Sequence, residues 1–306
     1  MKVFSGSSNK PLAEKITKSL NTLISPLEIV IFPDGERRVR VTDRVVDEDT
    51  VIIESTSPNP DTHYMELFFI VDALKRSGAK SITAVVPYLG YQRQDHVFRD
   101  GEAVSLEVII ETLEAVGMDK LITFDLHSIK IPELFSIPIV HLSALPIIAE
   151  KIKEIATPHF LKDTILVSPD MGGIRRIKIL SELLSNMPFI SIVKDRDLVS
   201  GDIKSNRIDS ASSGWKKRVK RAIIVDDMIS TGRTIASAVD LLVKNGIEEN
   251  IVFATHPVFS NDAKNILQNL RASKIFVTDT IDVPEEKRFG KLEILSISEM
   301  IAKELE

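Results

Sequence analysis

Two adjacent carboxylates, Asp226 and Asp227, close the apolar run Ile223-Ile224-Val225. Only Met228 and Ile229 separate them from Ser230, Thr231, Gly232, Arg233 and Thr234, and a helical period of Ile235, Ala238, Val239 and Leu242 follows at once. Carboxylates at a strand end can accept hydrogen bonds from the vicinal hydroxyls of a ribose. A turn of hydroxyls and backbone N–H groups opening a helix receives a phosphate on the positive end of the helix dipole. The chemistry suggested is the binding of a sugar phosphate. Strand, Asp, turn and hydroxyl cap also join ordinary βα units. The compactness of this run favours the phosphate site.

Four further stretches carry groups of the same kind. Ser168-Pro169-Asp170-Met171-Gly172-Gly173 ends one apolar run and opens a helical one. Its glycines let backbone amides approach an anion closely. Tyr88 to His96 is dense in aromatic, guanidinium and amide groups, which suit a base and a polyphosphate; a solvated loop is the plainer reading. His127 stands just past the run ending at Phe124, where open α/β sheets bind ligands. Phe32-Pro33-Asp34-Gly35-Glu36-Arg37 on its own reads as a Pro-Asp-Gly turn.

These stretches need a scaffold, and the pattern supplies one. Strand-like runs recur at Val51–Glu54, Ile82–Val86, Leu121–Phe124, Ile165–Val167, Phe189–Val193, Ala222–Val225, Ile251–Ala254 and Ile275–Val277. Helical periods lie between them at Leu12–Leu23, Met65–Arg76, Val104–Val116, Ala144–Ile155, Ile174–Leu184 and Ile235–Lys244. Continuous β-branched strands alternating with helices predict a doubly wound α/β architecture. Asp72-Ala73-Leu74 through Gly78 to Pro87 is echoed by Asp240-Leu241-Leu242 through Gly246 to Pro257. A duplicated domain would explain the echo, as would chance likeness of two βα units. The boundary is expected near Leu142–Leu145. Residues 195–220 break the alternation as a long polar connection, of the kind that serves as a functional lid or is disordered.

Composition sets the outer limits. The 306 residues suit two domains. A formal net charge of −5 leaves no basic stripe for nucleic acid, and Lys216-Lys217-Arg218 with Lys220 and Arg221 reads as a solvated edge. The chain has no cysteine, which excludes disulfides and thiol catalysis. No run approaches the roughly 20 apolar residues that span a bilayer, and no signal peptide is visible, so a cytoplasmic location is expected.

In order and spacing the chain resembles the ribose-phosphate pyrophosphokinases, which make phosphoribosyl pyrophosphate. The likeness runs from Phe4-Ser5-Gly6-Ser7 through Phe32–Glu36, Ser55-Thr56, Met65-Glu66-Leu67, Tyr91–Asp95, Asp125-Leu126-His127, Ser168–Gly173 and Asp226–Thr234 to Thr255-His256-Pro257. The resemblance implies two doubly wound domains of the phosphoribosyltransferase type I fold, arranged as a duplication. These would be residues 1–143 on the ATP side and 144–306 on the ribose 5-phosphate side, with the last helix a candidate to pack back on the first domain. It implies ATP and ribose 5-phosphate as substrates, Mg²⁺ as cofactor, and self-association into at least a dimer, hexamers of three dimers being common. Asp226 and Asp227 would hold ribose hydroxyls, and Ser230, Thr231, Gly232, Arg233 and Thr234 the 5-phosphate. Asp170, Gly172 and Gly173 would form the pyrophosphate loop. Phe32, Asp34 and Glu36 would reach adenine from a neighbouring subunit. Arg93, Gln94, Asp95 and His96 would meet ATP, and His127 and Asp170 the metal. Lys194 and Arg196 would match the mobile catalytic loop.

The sequence also departs from the family pattern. Ser230 stands where Asp is frequent, Arg233 where Gly is common, and Asp195 where some members carry a second Arg. His96 replaces an Arg or Lys. An imidazole in place of a fixed cation would weaken ATP binding or make it pH-dependent. Two other functions fit parts of the pattern: a phosphoribosyltransferase, which shares the Asp226–Thr234 loop, and a non-catalytic regulatory homologue of the synthase.

Overall fold

In the computed structural model the described residues are 1–156, 161–196, 203–208 and 219–306. The chain divides into two compact units: Met1–Ser143 with Thr280–Asp282 and Ser296–Glu306, and Ala144–Asp279 with Val283–Leu295.

The first unit holds a parallel sheet of β1 (Lys2–Ser5), β4 (Asp49–Ile53), β5 (Ser81–Val85), β6 (Lys120–Phe124) and β7 (Ile139–Leu142), in the order β1-β4-β5-β6-β7. Phe4, Ile52, Ile82, Ala84 and Leu121 pack on Leu67, Ile70, Val71 and Leu74 of the helix Pro60–Arg76 and on Leu106, Ile110 and Leu113 of the helix Ser105–Val116. Between β1 and β4 the chain makes an antiparallel hairpin, β2 (Leu27–Ile31) and β3 (Arg37–Val41). The closing helix Ser298–Leu305 belongs to this unit. Its Glu304 pairs with Lys120 at 3.0 Å, and its Glu299 accepts from Ser19 Oγ at 2.7 Å.

The second unit holds a sheet in the order β10-β9-β8-β11-β12-β13-β14. Its strands are β8 (Thr164–Ser168), β9 (Phe189–Arg196), β10 (Ile203–Ile208), β11 (Arg221–Met228), β12 (Glu249–His256), β13 (Lys274–Thr278) and β14 (Leu292–Leu295). All pairs are parallel except β9 with β10. Both faces are covered, as the continuous apolar strands predicted. Ala222, Ile224, Val252 and Ala254 pack on Ile235, Ala238, Val239 and Leu242 of the helix Arg233–Lys244. Their neighbours Ile223, Val225, Ile251 and Phe253 face Ile148, Ala149 and Ile152 of the helix Leu145–Ile155, with Ile177 and Leu180 of the helix Ile174–Leu183. Strand order reverses between β8 and β11, and such a switch point opens a crevice at the strands' carboxyl ends.

The sequence echo has a structural counterpart. After the helix Pro60–Arg76, Gly78 takes φ 84°, Gly78 N–H donates to Lys75 O and Ala79 N–H to Leu74 O. After the helix Arg233–Lys244, Gly246 takes φ 89°, Gly246 N–H donates to Val243 O and Ile247 N–H to Leu242 O. Gly117, Glu114, Met118 and Leu113 repeat this pairing at a third helix end, so the echo reflects a general way of closing these helices.

Three expectations are corrected. The first helix spans Lys10–Ser19, not Leu12–Leu23, because Asn21 takes the left-handed φ of 50° and Thr22 N–H closes on Thr17 O. The second begins at Pro60, five residues before the apolar period suggested, because proline suits a helix's first turn, where its missing N–H costs nothing. Residues 195–220 are not one unpaired connection, since Ile203–Ile208 forms a strand against β9, which itself runs on to Arg196. Residues 197–202 and 209–218 lie outside the described residues.

Candidate functional site

In the second unit the reversal of strand order places two predicted loops at the carboxyl ends of neighbouring strands. Ile224 of β11 is in register with Val167 of β8, so Asp226 and Asp227, in the last residues of β11 where it still pairs with β12, stand near the Ser168-Pro169-Asp170 end of β8. Ser168 Oγ donates to Asp170 O at 2.7 Å, and Gly173 N–H donates to Asp170 Oδ1 at 3.3 Å. A Cβ on Gly173 would stand 2.4 Å from Ser168 Oγ, so only glycine fits this fold of the loop. Met171 and Gly172 are exposed, and Asp170 is half-buried.

Asp226 and Asp227 are 8% and 5% exposed. The N–H of Asp227 donates to Asp226 Oδ1 at 2.9 Å, and that of Met228 to Asp227 Oδ1 at 3.0 Å. Burial pushes the Asp226 carboxyl well above the usual carboxylate range. The charge of Asp227 adds to that rise, and Arg176 opposes it. The Arg176 guanidinium reaches across the pair, Nη1 lying 3.7 Å from Asp226 Oδ1 and Nη2 3.7 Å from Asp227 Oδ2. Sequence reasoning did not single out Arg176. The available signal was its place one turn into the helix opened by Gly172-Gly173, which aims a cation back toward the loop that precedes it.

Beyond the pair, Gly232 takes φ 78° and opens the helix Arg233–Lys244. A Cβ there would meet Leu267 at 3.3 Å. Ser230 Oγ lies 2.9 Å from Ser260 Oγ, and Ser260 N–H donates to Ser230 O at 3.1 Å, so a neighbouring loop braces the turn. Ser230, Thr231 and Thr234 are partly exposed and Arg233 is exposed. The arrangement offers hydroxyls and helix N-terminal N–H groups to an anion beside two acceptors for a diol. Lys194 and Arg196 fall in β9, in register with Asn206 and Ile203 of β10, and their side chains lie outside the described residues.

The first unit gathers a second group. Phe32 to Glu36 forms the tip of the β2–β3 hairpin, closed by Phe32 N–H to Glu36 O at 2.8 Å, Gly35 N–H to Phe32 O at 2.9 Å, and Glu36 N–H to Asp34 Oδ1 at 3.1 Å. Phe32, Asp34 and Glu36 are all exposed, and Arg38 lies over the Phe32 ring at 6.0 Å. Arg93, Gln94, Asp95 and His96 follow the end of β5. His96 Nδ1 lies 2.7 Å from Asp95 Oδ1. Buried Gln92 ties this stretch to the end of β6, its Oε1 accepting the N–H of His127 at 2.8 Å. The structure therefore brings the predicted polyphosphate stretch and His127 to adjacent strand ends. His127 and Asp170 belong to different units.

Among the described residues, one cluster has the donors of a metal centre: Glu54, His63 and Glu66. His63 Nδ1 lies 2.7 Å from Glu54 Oε1. Glu66 is already engaged by Ser7 N–H at 2.6 Å, Ser7 Oγ at 3.0 Å and Arg37 Nη1 at 3.4 Å. With a guanidinium seated there, the cluster reads as a buried ionic joint between helix, hairpin and β1 loop. Elsewhere, Lys220 and Arg221 of the basic cluster pair with Glu248 at 3.5 Å and Glu249 at 2.8 Å. No helix among the described residues is long and apolar enough to cross a membrane.

Residues 1–117 match the model of the N-terminal domain of ribose phosphate pyrophosphokinase, and residues 141–282 match a phosphoribosyl transferase domain. The chain is 37% identical over 303 residues to a ribose-phosphate pyrophosphokinase of Bacillus cereus, covering 99% of this chain and 92% of that one. It is 36% identical over 309 residues to ribose-phosphate pyrophosphokinase 1 of Streptococcus mutans, with the same two coverages, 99% and 92%. A crystal structure of phosphoribosylpyrophosphate synthetase from Mycobacterium smegmatis superposes with a TM-score of 0.90 at 32% identity, covering 99% of this chain and 97% of that one.

Proposed function

The chain belongs to the ribose-phosphate pyrophosphokinase family, and from that premise we propose that it is itself an active ribose-phosphate diphosphokinase, making phosphoribosyl pyrophosphate and AMP from ATP and ribose 5-phosphate. The observation that carries the reading is the pairing at the switch point. A glycine-rich loop at Asp170–Gly173 and a diol-and-phosphate loop at Asp226–Thr234 leave neighbouring strands. A phosphoribosyltransferase would need those two loops alone. The hairpin tip with Phe32, Asp34 and Glu36, and the Arg93–His96 stretch, add the nucleotide side, in a region that matches the pyrophosphokinase N-terminal domain.

In this account Asp226 and Asp227 accept the ribose hydroxyls, and Ser230, Thr231, Gly232, Arg233 and Thr234 hold the 5-phosphate. The 1-hydroxyl attacks the β-phosphorus of ATP. Its new bond forms as the bond from that phosphorus to the α,β-bridging oxygen breaks, AMP leaves with the bridging oxygen, and the hydroxyl proton is lost to solvent. The Asp170–Gly173 loop lies against the pyrophosphoryl group, with the exposed Gly172 letting it approach the backbone closely. Lys194 and Arg196, at the end of β9, supply positive charge as charge moves to the leaving oxygen. Asp170 is a half-buried oxygen donor at a strand end, the kind of single carboxylate that Mg²⁺ takes together with phosphate oxygens and water. Mg²⁺ held by Asp170 would neutralise charge on the transferred group, and His127 is the first unit's proposed metal residue. Self-association is part of the reading, with Phe32, Asp34 and Glu36 serving a neighbour's nucleotide.

The test is AMP release from ATP by the purified chain, with and without ribose 5-phosphate, compared with Lys194→Ala. Sugar-dependent AMP, lost in the variant, is expected. Equal turnover in the variant would remove Lys194 from the mechanism, and no AMP from the unaltered chain would favour a non-catalytic homologue.

A further inference from the structure

The pair Asp226–Asp227 poses an electrostatic problem that its own strand does not solve. Two carboxylates adjacent in sequence, each more than nine-tenths buried, repel one another where water screens them little. As acceptors for two sugar hydroxyls both must present an oxygen to the same side. Backbone N–H groups donate to Oδ1 of each, at 2.9 and 3.0 Å.

The Arg176 guanidinium meets both from the neighbouring loop's helix. It is planar, 16% exposed, and sends one terminal nitrogen toward each carboxylate at equal distances of 3.7 Å. That separation is too long for a direct hydrogen bond and short enough for strong attraction. The contact offsets part of the pair's charge while leaving the carboxylate oxygens room to bond a ligand. A lysine ammonium is a point charge and cannot span two carboxylates in this way.

We propose that Arg176 is a positioning residue that holds Asp226 and Asp227 as a matched pair of acceptors, and that it thereby sets the preference of the site for a sugar phosphate with both vicinal hydroxyls. The proposal rests on the reading of this loop as the ribose 5-phosphate seat. In this role Arg176 acts through the aspartates. A site built to bond two hydroxyls rejects a sugar lacking one, because a buried acceptor is left without a donor. If Arg176 is what keeps the two acceptors aligned, its removal erodes that selectivity as well as affinity.

The experiment is calorimetric titration of the full chain with ribose 5-phosphate and, separately, with 2-deoxyribose 5-phosphate, for the unaltered protein, Arg176→Lys and Arg176→Met. Thermal melts establish that each variant folds, and the lysine variant keeps the charge should the methionine variant fail to fold. The unaltered chain is expected to prefer ribose 5-phosphate by about tenfold or more. Arg176→Met is expected to lose most of that preference, and Arg176→Lys to fall between. A preference intact in folded variants would overturn the role of Arg176 and leave the ribose 5-phosphate reading standing. Preference intact with loss of affinity for inorganic pyrophosphate would also overturn it, assigning the guanidinium to the transferred group instead. No binding of either sugar by the unaltered chain would overturn both.

Discussion

A side chain on Gly173 has no room, because its Cβ would stand 2.4 Å from Oγ of Ser168. That hydroxyl is held by its bond to Asp170 O at 2.7 Å. The Asp170–Gly173 loop is therefore locked by a contact between its last residue and the strand it leaves. Gly173→Ala must displace Ser168 or the loop itself. A displacement near 1 Å costs turnover about a hundredfold, while overpacking at one site costs about 1–3 kcal/mol of stability. Steady-state AMP formation and urea unfolding together check this. A variant with unchanged turnover would show that the loop does not meet the transferred group.

Arg233 opens its helix as an exposed cation, where the helix dipole alone would favour an anion. Its placement is reasonable if a phosphate sits in front of it. Arg233→Ala is expected to weaken ribose 5-phosphate binding by about threefold to tenfold and to leave the melting temperature unchanged. The difference should shrink as salt is raised, because an exposed charge is screened. Titrations at low and high ionic strength measure it.

Glu66 is fully buried and engages Ser7 twice and Arg37 once. Arg37 is the first residue of β3, next to the hairpin tip that carries Glu36. Glu66→Ala leaves the largely buried Arg37 guanidinium and the Ser7 N–H without their acceptor. The expected cost is on the order of 3 kcal/mol in urea unfolding. A loss below about 0.5 kcal/mol would mark the pair as no stronger than a surface salt bridge.

Burial raises the Glu54 carboxyl above its ordinary value of 4.5, and the His63 contact only partly offsets this. The folded state therefore holds that proton more tightly than the unfolded chain. Stability from this group is present at low pH and is lost as pH rises from about 4.5 through the raised value. Glu54→Gln removes the titration and can still hydrogen-bond His63. Melting curves across pH should be flatter for the variant, with a higher melting temperature than the parent above neutrality. A variant equally destabilised at pH 5 and pH 8 would contradict this account of Glu54.

The central strands were legible because both their faces are covered. Runs such as Ala222–Val225 and Ile251–Ala254 are apolar at every position, and their neighbours Ile224 and Ile223 pack into different clusters on opposite faces. The β2–β3 hairpin was harder to see. Arg37-Arg38-Val39-Arg40-Val41 alternates in a half-exposed two-stranded ribbon outside the βα rhythm. The loop at Asp226–Thr234 was legible because its chemistry is local, a turn whose glycine, hydroxyls and carboxylates follow one another in sequence. Arg176 was not, because its partners lie fifty residues away and strand order alone brings them together. The Glu54–His63–Glu66 cluster with Arg37 escaped for the same reason.

The claim that the pyrophosphoryl group moves as one unit is tested most directly with ATP labelled at the β-phosphorus, incubated with the purified chain, ribose 5-phosphate and Mg²⁺. With a radioactive label, chromatography should show it on the sugar, in phosphoribosyl pyrophosphate, with unlabelled AMP formed in equal amount. Label recovered in ADP, or left in ATP whether or not the sugar is present, would contradict it.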